Sequence, residues 1–187
     1  MASNPEKESL RKVLLEKRDG VSFEMTKIVA ERIRNKLKMI PEFKDAQTIA
    51  CYYPIGSEVL TQDIMLEALS HGKQVCLPKV IEKNLEFREI KDLNSLEKGT
   101  FDVMVPKDDC IKCDNFDIVL VPAIGLDRDG ARLGYGYGYY DRFLARQKTV
   151  SIALSYAKQL VKSIPTTPQD ISVDWIVTED EFFKTLE

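Results

Sequence analysis

The residues best suited to chemistry lie between Val121 and Arg142, in Val-Pro-Ala-Ile-Gly-Leu-Asp-Arg-Asp-Gly-Ala-Arg-Leu-Gly-Tyr-Gly-Tyr-Gly-Tyr-Tyr-Asp-Arg. Gly134, Gly136 and Gly138 alternate with Tyr135, Tyr137 and Tyr139. Glycine lets a backbone approach a ligand closely. Loop amides that lead into a helix N-terminus favour negative charge. Arg132 adds a planar guanidinium fork that suits phosphate. Asp141 falls in the first turn of the helix that would follow. The spacing is not Gly-x-Gly-x-x-Gly, because Tyr139 stands three places after Gly136. It is not a Walker A loop either, since no Gly-Lys-Ser/Thr follows. A solvated Gly/Tyr surface loop would have the same composition, so spacing alone leaves an anion site and a plain loop both open.

The elements around this loop must position it. Residues 117–121 form a continuous apolar run, as in a strand buried on both faces. Asp129-Gly130 signals a turn, and a helix is predicted from about residue 140 to 146. Upstream, residues 5–19 read as a helix with Leu10, Val13 and Leu14 on one stripe. Lys7 and Arg11, four apart, share a face. A second helix is capped by Ser22, runs from Met25 to Ile40 and stops at Pro41. Residues 48–53 read as a buried strand that ends in the loop carrying Glu58, and Thr61 caps the next helix. His71-Gly72 closes that helix, which leaves the histidine a dipole partner rather than a catalyst. Strands follow at 74–78 and 85–90. Residues 91–115 read as irregular, and further strands are expected at 149–154 and 173–178. The last of these carries Asp174 and the only tryptophan. Strands alternating with helices predict an α/β fold: one three-layer αβα domain over residues 1–187, Rossmann-like, with a mostly parallel sheet. Ligands of such sheets bind at the carboxyl ends of the strands. Glu58 would sit there, beside Tyr53.

Composition narrows the function. The chain has 187 residues, 44% hydrophobic and 30% charged, which is enough for one soluble core. A net charge of −3 argues against a nucleic-acid partner. No apolar run reaches the roughly 18 residues of a membrane span. The polar start Met-Ala-Ser-Asn-Pro-Glu-Lys is unlike a signal peptide, so a cytoplasmic location is expected. Cys51 and Cys76 read as core residues. Cys110-Ile-Lys-Cys113 lacks the further ligands of a zinc site, and reads as two loop cysteines or a redox pair.

The stretch from Arg132 to Asp141 closely resembles the Arg-Leu-Gly-x-Gly-x-Gly-Tyr-Tyr-Asp core of the 5-formyltetrahydrofolate cyclo-ligase family, also called methenyltetrahydrofolate synthetases. The resemblance extends to a basic first helix, to a Glu-x-x-Thr loop after the first strand and to a late Val-Asp. It implies ATP as co-substrate, Mg2+ and a small-molecule folate substrate. ATP would be met by Lys7, Arg11 and the run Arg132, Leu133, Gly134, Tyr135, Gly136, Tyr137, Gly138, Tyr139 and Tyr140. The folate would be met by Tyr53, Glu58 and residues 135–139. Arg132 and Tyr139 would be catalytic, and Asp141 and Asp174 would hold the metal. Some members carry a lysine where Tyr137 stands, which shifts phosphate charge onto Arg132, Lys7 or Arg11. A monomer is expected. Two other classes fit the loop less fully: a nucleotide- or folate-binding module without turnover, and a sugar-phosphate isomerase or CoA-transferase-like enzyme with Glu58 as its base.

Overall fold

The computed structural model describes residues 4–100 and 103–185. Its first helix, α1 (Pro5–Asp19), starts where the sequence dictates. Pro5 occupies the first turn, and the Asn4 side chain accepts hydrogen bonds from the Glu6 and Lys7 amides. Ser22 caps α2 (Phe23–Leu37). Pro41 does more than stop a helix, because it opens the one-turn α3 (Pro41–Asp45). Then follow β1 (Thr48–Ala50), α4 (Gln62–Ser70), β2 (Gln74–Ile81) and β3 (Asn84–Ile90). The segment expected to be irregular holds β4 (Leu96–Lys98), β5 (Met104–Pro106) and β6 (Lys112–Cys113). The chain continues through β7 (Ile118–Pro122), β8 (Gly125–Asp127), β9 (Arg132–Leu133), α5 (Tyr139–Leu144) and β10 (Val150–Leu154). It ends with β11 (Leu160–Val161), β12 (Trp175–Val177) and β13 (Phe182–Lys184).

The main sheet has the order β13-β12-β10-β7-β1-β2-β3-β6. Strands β12, β10, β7, β1 and β2 run parallel, and β13, β3 and β6 add antiparallel edges. Alternate residues of the central strands feed two cores. Ile49, Val75, Ile118, Leu120 and Ile152 face Val29, Ile33 and Leu37 of α2 and Ile64 and Met65 of α4. Ala50, Cys76, Val119, Val121 and Ala153 face Phe143 and Leu144 of α5. The period of two in β and of 3.6 in α therefore builds the three layers predicted from sequence. Cys76 is buried in the second core as expected, but it is also disulfide-bonded to Cys113, joining β2 to β6 across β3. Cys113 thus pairs outside its Cys-x-x-Cys, and Cys110 is free.

A small second sheet, β11-β8-β9, carries α1. Contact there is close: a Cβ on Gly125 of β8 would run into Leu14 Cδ1, so a larger residue would force the Leu14 side chain to shift. Asp127 fixes the β8–β9 turn, its carboxylate accepting from the Ala131 amide at 2.9 Å and the Ile164 amide at 2.8 Å. From β1 the chain builds outward through β2 and β3. From β7 it builds the other way, through β10 and β12. The strand order thus reverses between β1 and β7, the place where open α/β sheets bind ligands.

Candidate active site

Two loops leave the sheet at this reversal. One follows β1 and carries Glu58. The other follows β7, through the β8–β9 hairpin, and carries residues 134–138. Helix α1 lies against both. Lys7, Arg11, Leu14 and Arg18 form one stripe at i, i+4, i+7 and i+11, with Leu14 buried under the helix and Arg11 and Arg18 reaching the loops. Val13, placed on the apolar stripe by sequence, is exposed instead. The stripe itself was the signal that could have found Arg18.

The glycine loop is held from both ends and from its side. Arg132 of β9 donates through Nη2 to Asp141 Oδ1 at 3.0 Å. Its guanidinium also lies over the Tyr140 ring, 5.7 Å from the centroid. Arg11 Nε donates to the Gly134 carbonyl at 2.8 Å. A Cβ on Gly134 would come within 2.8 Å of Arg132 Nη1, and one on Gly136, where φ is +94°, within 3.4 Å of Arg11 Nη2. The glycines therefore make room for two guanidinium groups against the backbone, which is the cradle an anionic ligand needs. Leu133 is buried under the loop. Arg132 Nε is buried with no hydrogen-bond partner among the described residues. Helix α5 has only six residues, so side-chain cations supply more of the positive charge than its dipole does. Lys7 lies farther along α1 and is paired with Asp170 at 2.6 Å.

Tyr137 and Tyr139 stack, with centroids 5.6 Å apart and planes 24° from parallel. Tyr137 is 69% exposed. Arg142 clamps this pair. Its Nη1 donates to the Tyr137 carbonyl at 2.9 Å and its Nη2 to the Lys83 carbonyl at 2.6 Å, and the guanidinium covers the Tyr139 ring at 5.3 Å. A cleft of about 380 Å³ opens beside Tyr139, between β3 and α5. No role for Arg142 was legible in sequence, because its partners are a distant hairpin and a loop carbonyl.

On the other side, Glu58 and Arg18 meet. Both are 3% exposed. Glu58 Oε2 accepts from the Ile55 amide at 2.9 Å, and its Oε1 lies 3.9 Å from Arg18 Nη1. Burial pushes the Glu58 carboxyl above the ordinary glutamate range, against the Ile55 hydrogen bond and the Arg18 charge. Arg18 also donates to Ser57 Oγ at 2.9 Å and to the Tyr135 hydroxyl at 2.8 Å. Burial raises the Tyr135 and Tyr140 hydroxyls, so both stay protonated. Tyr53, half-buried, packs on the core at the start of the Glu58 loop. Thr61 precedes α4, but its hydroxyl donates to the Tyr52 carbonyl at 2.6 Å rather than capping.

The structure thus brings together Arg11, Arg18, Glu58, Arg132, Tyr135, Tyr140 and Asp141 around one loop. It does not bring Asp174 to Asp141. Asp174 Oδ2 accepts from the Ser151 amide and hydroxyl, both at 2.7 Å, at the amino end of β10. That is the edge of the sheet away from Glu58. The reason is local: Asp174 immediately precedes β12 and pins its register on β10. Among the described residues no group of three or more His, Cys, Asp or Glu side chains could hold a metal. Of the two aspartates expected to hold a metal, only Asp141 lies at the glycine loop.

Comparison with known proteins points the same way. The sequence profile of the 5-formyltetrahydrofolate cyclo-ligase family matches residues 3–179. A 5-formyltetrahydrofolate cyclo-ligase of Mycoplasma pneumoniae is 31% identical over 181 residues, covering 94% of this chain and 99% of that protein. The mitochondrial cyclo-ligase of Arabidopsis thaliana is 31% identical over 179 residues, and the match spans 65% of its length. The structure of Aquifex aeolicus 5,10-methenyltetrahydrofolate synthetase superposes with a TM-score of 0.86 at 33% identity, covering 97% of this chain and 93% of that one.

Proposed function

Since the chain belongs to the 5-formyltetrahydrofolate cyclo-ligase family, we propose that it converts 5-formyltetrahydrofolate and ATP to 5,10-methenyltetrahydrofolate, ADP and phosphate. One observation carries this reading. The glycine loop connects a cluster of guanidinium groups, Arg11 and Arg132, to the buried Glu58–Arg18 pair. One end suits phosphate and the other suits a polar heterocycle.

The chemistry needs both ends at once. A formyl oxygen on N5 is a poor leaving group. Its attack on the γ-phosphorus forms a C–O–P linkage and breaks the bond from phosphorus to the bridging oxygen of ADP. The formyl carbon is then part of an iminium phosphate. N10 attacks that carbon and loses its proton, the C–O bond breaks, and phosphate leaves. Positioning and charge neutralisation achieve most of this transfer.

Arg132, Arg11 and Lys7 hold the ATP phosphates against the backbone of residues 133–140. Arg132 stabilises the charge that builds on the transferred group. Tyr139, with Tyr137, flanks the pterin and keeps N10 near the formyl carbon. Glu58 accepts the pterin N–H groups and Tyr53 borders the same ring. When bound, magnesium screens the charge of the phosphate oxygens, and Asp141 is the carboxylate that would hold it. Asp174 could join only by leaving Ser151. No described helix is long and apolar enough to cross a membrane, which is compatible with a cytoplasmic reaction.

The test is direct. Protein mixed with (6S)-5-formyltetrahydrofolate and MgATP should produce the near-ultraviolet absorbance of the conjugated methenyl product. The rise should require both ATP and magnesium. Absence of a rise under these conditions would remove the assignment.

A further inference from the structure

Arg18 holds a donor that no described residue uses. Its side chain is 3% exposed, yet Nη1 has no hydrogen-bond partner, since Glu58 Oε1 at 3.9 Å is beyond bonding distance. A buried guanidinium N–H without an acceptor is strongly unfavourable. The rest of the group is fixed: Nε by Ser57 Oγ and Nη2 by the Tyr135 hydroxyl. A second orphan lies in the same electrostatic neighbourhood. Tyr156 is 1% exposed and its hydroxyl has no hydrogen-bond partner among the described residues; burial raises its pKa, and the charges of Arg18, Glu179 and Glu58 act on it. An unpaired donor beside one buried carboxylate marks a place that a polar ligand completes.

We propose that Arg18 is a specificity residue that reads the lactam edge of the pterin, with Nη1 donating to the ring carbonyl O4 while Glu58 accepts from the adjacent N3–H. This rests on the folate reading above. A donor and an acceptor side by side complement an N–H and a C=O side by side, which is the pattern of a cyclic amide. Tyr135 is the gate to this pair. Its ring is 40% exposed, its hydroxyl occupies Arg18 Nη2, and it stands between Gly134 and Gly136. Rotation of the loop at those glycines would release the Tyr135 hydroxyl from Arg18 Nη2 and uncover Arg18 and Glu58.

The pattern makes a selective demand. A 4-amino-4-deoxy pterin replaces the carbonyl acceptor with a donor, which would face Arg18 donor to donor, and turns N3 into an acceptor, which would face the Glu58 carboxylate. Binding of 5-formyltetrahydrofolate and of its 4-amino-4-deoxy analogue is measured by calorimetry on the wild-type protein and on Arg18→Lys and Arg18→Met. The wild type should prefer the 4-oxo ligand by roughly 10–100-fold, the range for a site that leaves a buried polar group unpaired. Both variants should lose the Arg18 share of that ratio and keep the share that Glu58 sets through N3–H, whatever happens to absolute affinity. Arg18→Lys keeps the stem and the charge, so it serves if Arg18→Met fails to fold. A wild type that forms methenyl product but binds both ligands within about twofold overturns the role of Arg18 and leaves the activity standing. So does an Arg18→Lys protein with the full wild-type ratio. A wild type that binds neither folate overturns the activity and this inference together.

Discussion

Arg132 and Asp141, nine residues apart, close the glycine-rich loop into a ring: Arg132 Nη2 lies 3.0 Å from Asp141 Oδ1, and residues 134–138 run between them. The same carboxylate oxygen accepts the Ile171 amide at 3.2 Å. The pair therefore joins β9, α5 and the segment before β12, and holds the charge the loop presents. Arg132→Ala should lower kcat about 100- to 1000-fold, as loss of one preorganised donor does. It should also lower stability by about 1.5–3 kcal/mol, because a charged hydrogen bond is lost at a mostly buried site. Steady-state kinetics and urea unfolding read the two effects. Asp141→Asn keeps an oxygen that can accept from Arg132, so it should lose less stability than Arg132→Ala while needing more magnesium for half-maximal rate. An unchanged magnesium dependence in Asp141→Asn would remove Asp141 as the metal carboxylate.

Asp174 should behave differently. Its carboxylate serves the amide and hydroxyl of Ser151. Asp174→Ala should destabilise the protein by about 1–3 kcal/mol, because a buried donor loses its acceptor. The magnesium concentration giving half-maximal rate should stay at the wild-type value. A shift matching that of Asp141→Asn would mean that Asp174 leaves Ser151 to reach the metal.

Glu58 gives the pH dependence a direction. Burial raises its folded-state pKa. The ionised form accepts the pterin N–H groups, so folate affinity should fall on acidification, with a midpoint above the ordinary glutamate value of about 4.3. Stability has the opposite sign. A raised folded-state pKa means that the contribution of Glu58 is present below its unfolded value and is lost as pH rises through the folded value. Glu58→Gln should remove the titration from both curves and raise KM for the folate more than that for ATP. An acid limb of folate binding that survives in Glu58→Gln would assign the titration elsewhere.

The β2–β3 hairpin tip offers a test of the Arg142 clamp. Glu82 and Lys83 both have positive φ, 48° and 68°, in a two-residue turn that favours Asn-Gly. Lys83→Gly should raise stability by about 0.5–1 kcal/mol through relief of that strain. Its carbonyl would still accept from Arg142, so the kinetics should hold. Arg142→Ala frees Tyr137 and Tyr139, and should raise KM for the folate several-fold. Thermal melting and kinetics on the two variants would disagree with this if Lys83→Gly were the one that lost activity.

Much of the fold could be read from local patterns. Apolar runs such as residues 117–121 and helical stripes such as Val29, Ile33 and Leu37 depend on neighbours in sequence, and they gave the parallel sheet and its helices. The short strands β4, β5, β6, β8, β9, β11 and β13 were missed. Two or three residues carry no period, and only a distant partner defines them. At the site, the glycine spacing pointed to the loop, and Lys7 and Arg11 to the helix beside it. Arg18 escaped because its partners, Ser57, Glu58 and Tyr135, lie on other elements. The disulfide escaped for the same reason, since Cys76 meets Cys113 only through the pairing of β3 with both β2 and β6.

The central claim is that the formyl oxygen receives the phosphoryl group at the Arg132 loop. It is tested most directly with 5-formyltetrahydrofolate labelled with oxygen-18 in the formyl group, turned over once with MgATP. The phosphate released should carry one labelled oxygen, in step with methenyl formation. Label found in water, with unlabelled phosphate, would contradict transfer to the formyl oxygen.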